Sequence, residues 1–573
     1  MRSPLILFLR LLHRSGPAWH PYISAKALQQ SNHLPREQAG TKVSTADCFP
    51  VTATPGISRL YADFCASAAT RFLPSDENWF EHRPPTPAHW PELIALLAAQ
   101  NPSPSAAPAL QALTNGAGTV LTGQQVTLFG GPLFTPFKAA TAIARARAAT
   151  AVGHPHAAIF WLATEDHDFD EINHVAFPTR RSMEKLVYSS TPTTPVPVGN
   201  VVIDDSITPL IDRAWELIGF SDAMEALAAA YQPGRTFAQA FADFYTKIFA
   251  AQGLLIVDPA AREFHRLGAP VLRAGIQRAD ELHAALIERN HALEAAGYHA
   301  QVAVTPQSSL LFLIDEQTGA RIALKRTAPN VKEPNGLWQA GRQNYSTDEL
   351  VAILDAAPER ISPSALLRPL FQDFIFGTSA QVGGPAEIAY LAQSGVLFDK
   401  ILGRQTPPLA RFSGTLIEPA VGELLRRHEL SVDRLFRENA PSIAKRLAAR
   451  AMPIETKKKL ASAGNALDSE LTTLLDWMRS QDQGLGRSAE TAASKMRYQM
   501  NRLRNLAANF ELQREASLTR HAEAIIQAIV PDGVMQERVH GAAFYFGRYG
   551  LDLAETIVTH AENPCPGHRA IWL

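Results

Sequence analysis

Apolar positions along the chain change their period several times, and each change predicts an element. Ile57, Leu60, Tyr61, Phe64 and Cys65 recur at helical spacing, which predicts a helix over 58–73 leading to Pro74. Asn101 to Pro108 is rich in Pro, Ser and Ala and reads as a loop. Thr119, Val120 and Leu121 then form a short β-prone run that ends at Gly123, followed by a turn with Gly130, Gly131 and Pro132. A helix begins between Pro132 and Pro136. Proline is tolerated in a first helical turn, so Thr135 as N-cap with Pro136 next is the expected start. Phe137, Ala140, Ile143 and Ala144 give this helix an apolar face, and Gly153 to Pro155 end it. Ala157 to Ala163 is a continuous apolar run, the pattern of a strand buried on both faces. Strand, glycine turn, helix and strand make one βαβ unit of a doubly wound, Rossmann-like parallel sheet.

Leu254 to Val257 predicts another strand, and 309–325 a hairpin turning through Gln317 and Gly319. The Ala- and Leu-rich stretches 222–250 and 263–296 read as helical insertions or packing layers. From about Glu418 to Val530 the strand signal vanishes. Leu460, Leu467, Leu471, Leu474 and Met478 form one seam, and Met496, Met500, Leu503, Ala507 and Phe510 a second. Gln481 to Gly486, with two glycines, separates them. The pattern predicts an antiparallel coiled-coil hairpin. Its seam is too narrow for a core and too long to stay exposed, which predicts a homodimer through residues 454–530. The expected organisation is a poorly ordered extension over 1–45, an α/β core over 46–417, a helical domain over 418–530, and a segment over 531–573 that returns to the core.

Composition narrows the function. In 573 residues, 46% are hydrophobic and 19% charged, as in a globular protein. The formal net charge of -1 supplies no bulk positive field for nucleic acid. The apolar run Leu5 to Leu9 is interrupted by Arg10, far short of the roughly 20 residues of a membrane span, and no other segment reaches that length. Neither a nucleic-acid nor a membrane partner is expected. Cys48, Cys65 and Cys565 form no CxxC pair, so neither a cysteine zinc site nor a disulfide framework is expected, and the low count fits a reducing compartment.

Three motifs carry candidate chemistry. Thr122-Gly123-Gln124-Gln125 through Gly130, Gly131 and Lys138 spans a strand end and a helix start, where free N–H groups and the helix dipole bind anions. It is neither a P-loop nor a GxGxxG turn. Its bland alternative is a tight turn with an exposed lysine. The second motif, Thr164-Glu165-Asp166-His167-Asp168 to His174, holds five carboxylates and two histidines directly after the second strand. That is the edge where parallel sheets place their sites. These groups suit a metal, acid–base chemistry or a substrate amine. The bland alternative is an acidic helix start. In the third, Arg368 can clamp a carboxylate, or simply form a structural ion pair with Asp373 or another acid. Gly383 and Gly384 make a second anion-friendly turn, with Glu387 just inside the next helix.

Together these blocks resemble the BshC family of bacillithiol biosynthesis. The resemblance rests on Thr122-Gly-Gln-Gln with Gly131-Pro-Leu-Phe-Thr and Lys138, on Thr164 through His174, on Leu366-Leu-Arg-Pro-Leu with Gln372-Asp, and on Val382-Gly-Gly-Pro-Ala-Glu-Ile-Ala-Tyr390. Gln536-Glu-Arg-Val, Tyr549-Gly and His568 extend it over roughly 46–573. The sequence departs from the family pattern at Thr127, where glycine is frequent, and at Pro136. The resemblance implies a Rossmann-like ligase core and a dimerising C-terminal coiled coil in a cytoplasmic enzyme. It implies that cysteine is joined to the amine of glucosaminyl malate, with activation of the cysteine carboxylate by ATP. ADP binding and Mg with the nucleotide belong to the same expectation. Glu165, Asp166, His167 and Asp168 are the expected catalytic group. Thr122, Gly123, Gln124, Gln125, Gly130, Gly131, Lys138, His174, Arg368, Gly383, Gly384 and Glu387 are the expected binding residues. The alternatives are a metal-dependent hydrolase using Asp166, His167, Asp168 and His174, and a non-catalytic coiled-coil scaffold.

Overall fold

A computed structural model describes residues 47–75, 77–179, 182–327, 337–563, 565 and 567–573. The extension assigned to 1–45 lies outside the described residues. At the centre is a five-stranded sheet of β1 (Gly118–Gln124), β2 (His156–Leu162), β3 (Leu255–Val257), β4 (Ala380–Gly383) and β5 (Pro408–Ala410). The order is β5-β4-β1-β2-β3, and every neighbouring pair is parallel. Alternation along the strands explains why both faces are covered. Val120, Phe160, Ile256 and Val382 enter one core with Phe137, Ala140 and Ile143 of helix α1 (Phe134–Ala151). Leu121, Ile159, Trp161 and Val257 enter a second core with Leu370 and Phe371 of α2 (Arg368–Phe376) and Ile388 and Leu391 of α3 (Pro385–Ile401). Each fully buried Val, Leu, Ile or Phe side chain among these stabilises the fold by about 1.5–3 kcal/mol.

An antiparallel sheet flanks this core, built from Ser308–Ile314, Arg321–Arg326, Trp338–Ala340, Gln343–Tyr345 and Ile361–Pro363. The helical region carries the two long helices α4 (Ile454–Gln481) and α5 (Gln483–Arg514). The last strand, His568–Trp572, pairs in parallel with Ser413–Ile417 and antiparallel with Cys48–Phe49. Gln536 locks that return: its side chain accepts from Leu416 N at 2.8 Å and donates to Leu416 O at 2.8 Å. No described helix is long and apolar enough to cross a membrane.

Several local expectations need correction. The first helix is Arg59–Cys65 and ends early, because Ser67 takes a left-handed backbone with φ 55°. The stretch 101–108 contains a short 3-10 turn, Pro104–Ala106, and the start of a helix at Ala107. Helix α1 starts at Phe134 rather than after Thr135. Pro136 still lies in the first turn, where no donor is missed. The 222–250 stretch breaks between Ala230 and Phe237, where Pro233 and Gly234 interrupt it. The hairpin turn is tighter than its glycines suggested: Asp482 alone separates α4 from α5, and its side chain caps Leu485 N at 2.8 Å. Gly486 lies inside α5, where a Cβ would meet the Arg479 backbone at 3.2 Å. The two helices bury Leu471, Leu475 and Ala493 between them. Leu474, Met496, Leu503 and Phe510 of the anticipated seams stay exposed, together with Trp477.

The cysteines also need one correction, to the expectation of no disulfide framework. Cys48 and Cys565 form a disulfide, and Cys65 is free. The two lie 517 residues apart, so no local spacing rule detects them. The strand pairing of Cys48–Phe49 with His568–Trp572 brings them together.

Candidate active site

At the carboxyl ends of β1, β2 and β4 the sheet opens into a cavity of ≈ 800 Å³. Gly123, Gln124, Gln125, Lys138, Asp166, His174, Arg368, Gly384 and Glu387 all line it. The first, second and third motifs therefore share one space, as the rule for open parallel sheets requires. A second cavity of ≈ 610 Å³, lined by Tyr61, Cys65, Ser413 and His568 among others, shares Pro385, Arg411 and Arg538 with it.

One side of the first cavity is carboxylate. The Gln125 amide spends both N–H groups on anions, donating to Asp166 Oδ2 at 2.9 Å and Glu171 Oε2 at 2.8 Å. Asp166 Oδ1 accepts the backbone N–H of His167 at 2.8 Å. Burial raises the Asp166 pKa, but the Gln125 bond and then the nearby Arg321 cation outweigh it, and the carboxyl titrates below its ordinary range. His174 stands on the same side. Its Nδ1 lies 3.1 Å from both Asp170 O and Asn173 Oδ1, two acceptors, so that nitrogen carries the proton and Nε2 keeps its lone pair. Burial, followed by the Lys185 charge, pushes the His174 pKa down.

The other side is cationic. Lys138 is 4% exposed and pairs with Glu387 at 2.6 Å, while donating to Gln124 Oε1 at 2.6 Å and Gly123 O at 3.0 Å. Burial lowers its pKa and Glu387 opposes that. Glu387 also accepts Gly384 N at 2.8 Å, so it closes the helix start as well as holding the lysine. Arg411 pairs with Glu537 at 2.5 Å, both buried. Burial lowers the Arg368 pKa, but Tyr390 beside it and the Asp166 and Glu387 charges outweigh burial. The pairing with Asp373 does not form, because Asp373 pairs with Arg404 at 2.6 Å. Arg538 lines the cavity with no salt bridge among the described residues, and so does Lys185, which stands near His174 on the strand paired with it.

Other expected residues stand elsewhere. Thr122 is fully buried and donates to Val382 O at 3.1 Å, tying β1 to β4. Gly130 and Gly131 have φ of 82° and 71°, which favours glycine, but their turn is not open to a ligand. Tyr245 Oη donates to Gly130 O at 2.8 Å and Ala542 N to Gly131 O at 2.8 Å. Thr127 has φ −67° and ψ 143°, so a non-glycine residue fits there without strain. Gly383 lies at the end of β4, where an added Cβ would meet the Glu387 side chain at 3.0 Å. Glu165 lies behind the cavity wall, 7% exposed, in an ion pair with His265 at 2.9 Å. His167 turns toward Arg321, and Asp168 is exposed at the start of Phe169–Ile172. The four residues of the metal alternative therefore face different neighbours. No group of three or more His, Cys, Asp or Glu side chains suited to a metal occurs among the described residues.

Sequence reasoning missed His265, Arg321, Lys185, Arg411 and Arg538 as site residues. Arg538 lies inside the Gln536-Glu-Arg-Val stretch. Arg321 had one signal, an arginine opening a half-buried strand whose other basic residues, Lys325 and Arg326, stand at its far end.

Comparison with known proteins agrees with this fold. Residues 74–411 match the family described as "Bacillithiol biosynthesis BshC, N-terminal Rossmann-like domain". Residues 414–572 match "Bacillithiol biosynthesis BshC, C-terminal coiled-coil domain". Among curated proteins, one from Koribacter versatilis named "Putative cysteine ligase BshC" is 38% identical, over 92% of this chain and 99% of its own. A protein of the same name from Solibacter usitatus is 34% identical, over 85% and 90%. One from Salinibacter ruber is 30% identical, over 79% and 82%.

Proposed function

This chain belongs to the BshC family, and from that premise we propose that it is a ligase joining the carboxylate of cysteine to the amine of glucosaminyl malate to give bacillithiol. The observation that carries the reading is the polarity of the cavity. Asp166, Glu171 and His174 form a side suited to a protonated amine and its deprotonation. Arg368 and Arg538, with Lys185 beside His174, leave cations in the cavity for an anionic ligand. An amide does not form readily from a free carboxylate in water, so the reaction requires activation, and ATP is the proposed source. Arg368, Arg538 and Lys185 would hold its phosphates, since none of the three is engaged in a salt bridge among the described residues. Mg accompanies the nucleotide in this reading. His174 Nε2, with its lone pair free, is the proposed acceptor of the amine proton, and the Gln125-clamped Asp166 and Glu171 orient that amine. The exposed Leu474, Trp477, Met496, Leu503 and Phe510 on α4 and α5 support a homodimer, and the setting proposed is the cytoplasm.

The test combines purified protein, cysteine, glucosaminyl malate and ATP, with products followed by mass spectrometry. Bacillithiol should form only with ATP. AMP as co-product indicates adenylation and ADP indicates phosphorylation. Asp166→Asn should abolish turnover in a folded protein. Bacillithiol formation without ATP, or full turnover by Asp166→Asn, would overturn the reading.

A further inference from the structure

Arg321 is delivered to the site from the antiparallel sheet, and its side chain is 6% exposed. Its donors are spent in three directions. Nε donates to Ser362 Oγ at 3.0 Å, Nη2 to Pro363 O at 3.0 Å, and Nη1 to His167 Nδ1 at 3.2 Å. The guanidinium carbon sits 3.7 Å from the Phe312 ring centroid, and that ring also neighbours His167, with centroids 5.6 Å apart. Only a planar fork satisfies these neighbours at once, which a lysine does not do. Guanidinium nitrogens donate and do not accept, so His167 Nδ1 must be the accepting nitrogen, and the ring proton is on Nε2. The backbone N–H of the same histidine donates to Asp166 Oδ1 at 2.8 Å, and Arg321 Nη1 lies 3.9 Å from that oxygen. Asp166 is thereby gripped from two sides: by Gln125 on Oδ2, and by the anchored His167 segment on Oδ1.

We propose that Arg321 is a positioning residue, which fixes His167 in the Nε2–H tautomer and through it sets the Asp166 carboxylate at the cavity edge. As a contribution to ligation this rests on the function proposed above; as a statement about the histidine it does not. Burying Arg321 with its ion-pair partner Asp166 no nearer than 3.9 Å is unfavourable unless the geometry uses it. Here the use is the orientation of a loop that the sheet itself does not hold.

The test is nitrogen-15 NMR of the histidine-labelled full-length protein, with the His167 signals assigned by their loss in His167→Gln. Wild-type protein should show His167 as the Nε2–H tautomer around neutral pH. Arg321→Met should convert it to a mixture or to the Nδ1–H form, and Arg321→Lys should restore part of the wild-type pattern. In the ligation assay, Arg321→Met should lower kcat/KM on the order of a hundredfold, the scale of a misplaced catalytic group. The double variant Arg321→Met/His167→Gln should be no worse than either single variant, since both break one chain of contacts. Should Arg321→Met fail to fold, the wild-type tautomer and Arg321→Lys still decide. A wild-type His167 protonated on Nδ1, or a tautomer unchanged in Arg321→Lys and Arg321→Met alike, would overturn the proposal, as would additive losses in the double variant. Wild-type protein that makes no bacillithiol yet shows the tautomer response overturns the reading of the reaction and leaves the hold on His167 standing.

Discussion

The buried pair Glu165–His265 behind the cavity offers a sharp physical test. His265 is 1% exposed, and both ring nitrogens meet acceptors: Nδ1 lies 2.9 Å from Ile361 O and Nε2 2.9 Å from Glu165 Oε1. That arrangement suits an imidazolium paired with the Glu165 carboxylate. Burial lowers its pKa, but the Glu165 charge and hydrogen bond outweigh burial and the net change is upward. Removing the cation by His265→Ala strands a carboxylate that is 7% exposed. Breaking a buried pair from one side costs about 3–5 kcal/mol, and Arg321 nearby points to the lower end. Glu165→Gln is different, because the histidine escapes by losing its proton. A raised folded pKa contributes stability that is fully present below the unfolded value of about 6.5 and is lost as pH rises through the folded pKa. Each tenfold gain in proton affinity on folding is worth about 1.4 kcal/mol. The deficit of Glu165→Gln relative to wild type should therefore be largest near about pH 6 and shrink by about pH 8. Urea unfolding of wild type and both variants at the two pH values measures this. A deficit that grows with pH, or a Glu165→Gln loss equal to that of His265→Ala at the higher pH, would refute the imidazolium assignment.

Three further outcomes are expected. His174 is held below its ordinary pKa, so kcat/KM should rise from acid pH to a plateau with an apparent pKa under about 6.5, and His174→Gln should lose that limb in a pH-rate profile. Deleting residues 456–525 and closing the gap should give a monomer by light scattering, while a dimer surviving the deletion places the interface elsewhere. Thiol labelling of oxidised, denatured protein should modify Cys65 alone, and reductant should expose Cys48 and Cys565, read as a mass difference.

How much of this was legible in the sequence depends on the range of the interaction. The βαβ unit was readable because burial on both faces leaves a continuous apolar run, Ala157 to Ala163, and because glycine and proline punctuate the turn. The cavity's position followed from strand order, since Gln125 and Asp166 each follow a strand of the same parallel pair. What failed was side-chain direction. Consecutive residues Glu165, Asp166 and His167 go to three environments: a buried histidine, an open cavity and a buried arginine. No periodicity distinguishes them, because His265 and Arg321 arrive from 100 and 154 residues away. The same holds for Arg411 with Glu537, 126 residues apart, and for Cys48 with Cys565.

That distribution of partners changes how the acidic motif is understood. Read as a string, five carboxylates and two histidines suggest a set of interchangeable catalytic groups. In the fold only Asp166, Glu171 and His174 line the cavity; Glu165 is neutralised by His265 and His167 oriented by Arg321, partners the motif does not contain, while Asp168 is exposed. A buried carboxylate at position 165 would be costly by itself, and His265 makes it tolerable. A free loop at 166–167 would leave the cavity's carboxylate unaimed, and Arg321 with Gln125 aims it. Substitution at Glu165 should therefore act through stability and pH, while substitution at Asp166 acts on turnover with the fold intact. The separation of those two phenotypes, within adjacent residues, follows from burial: Glu165 has 9% of its side chain exposed and Asp166 has 30%.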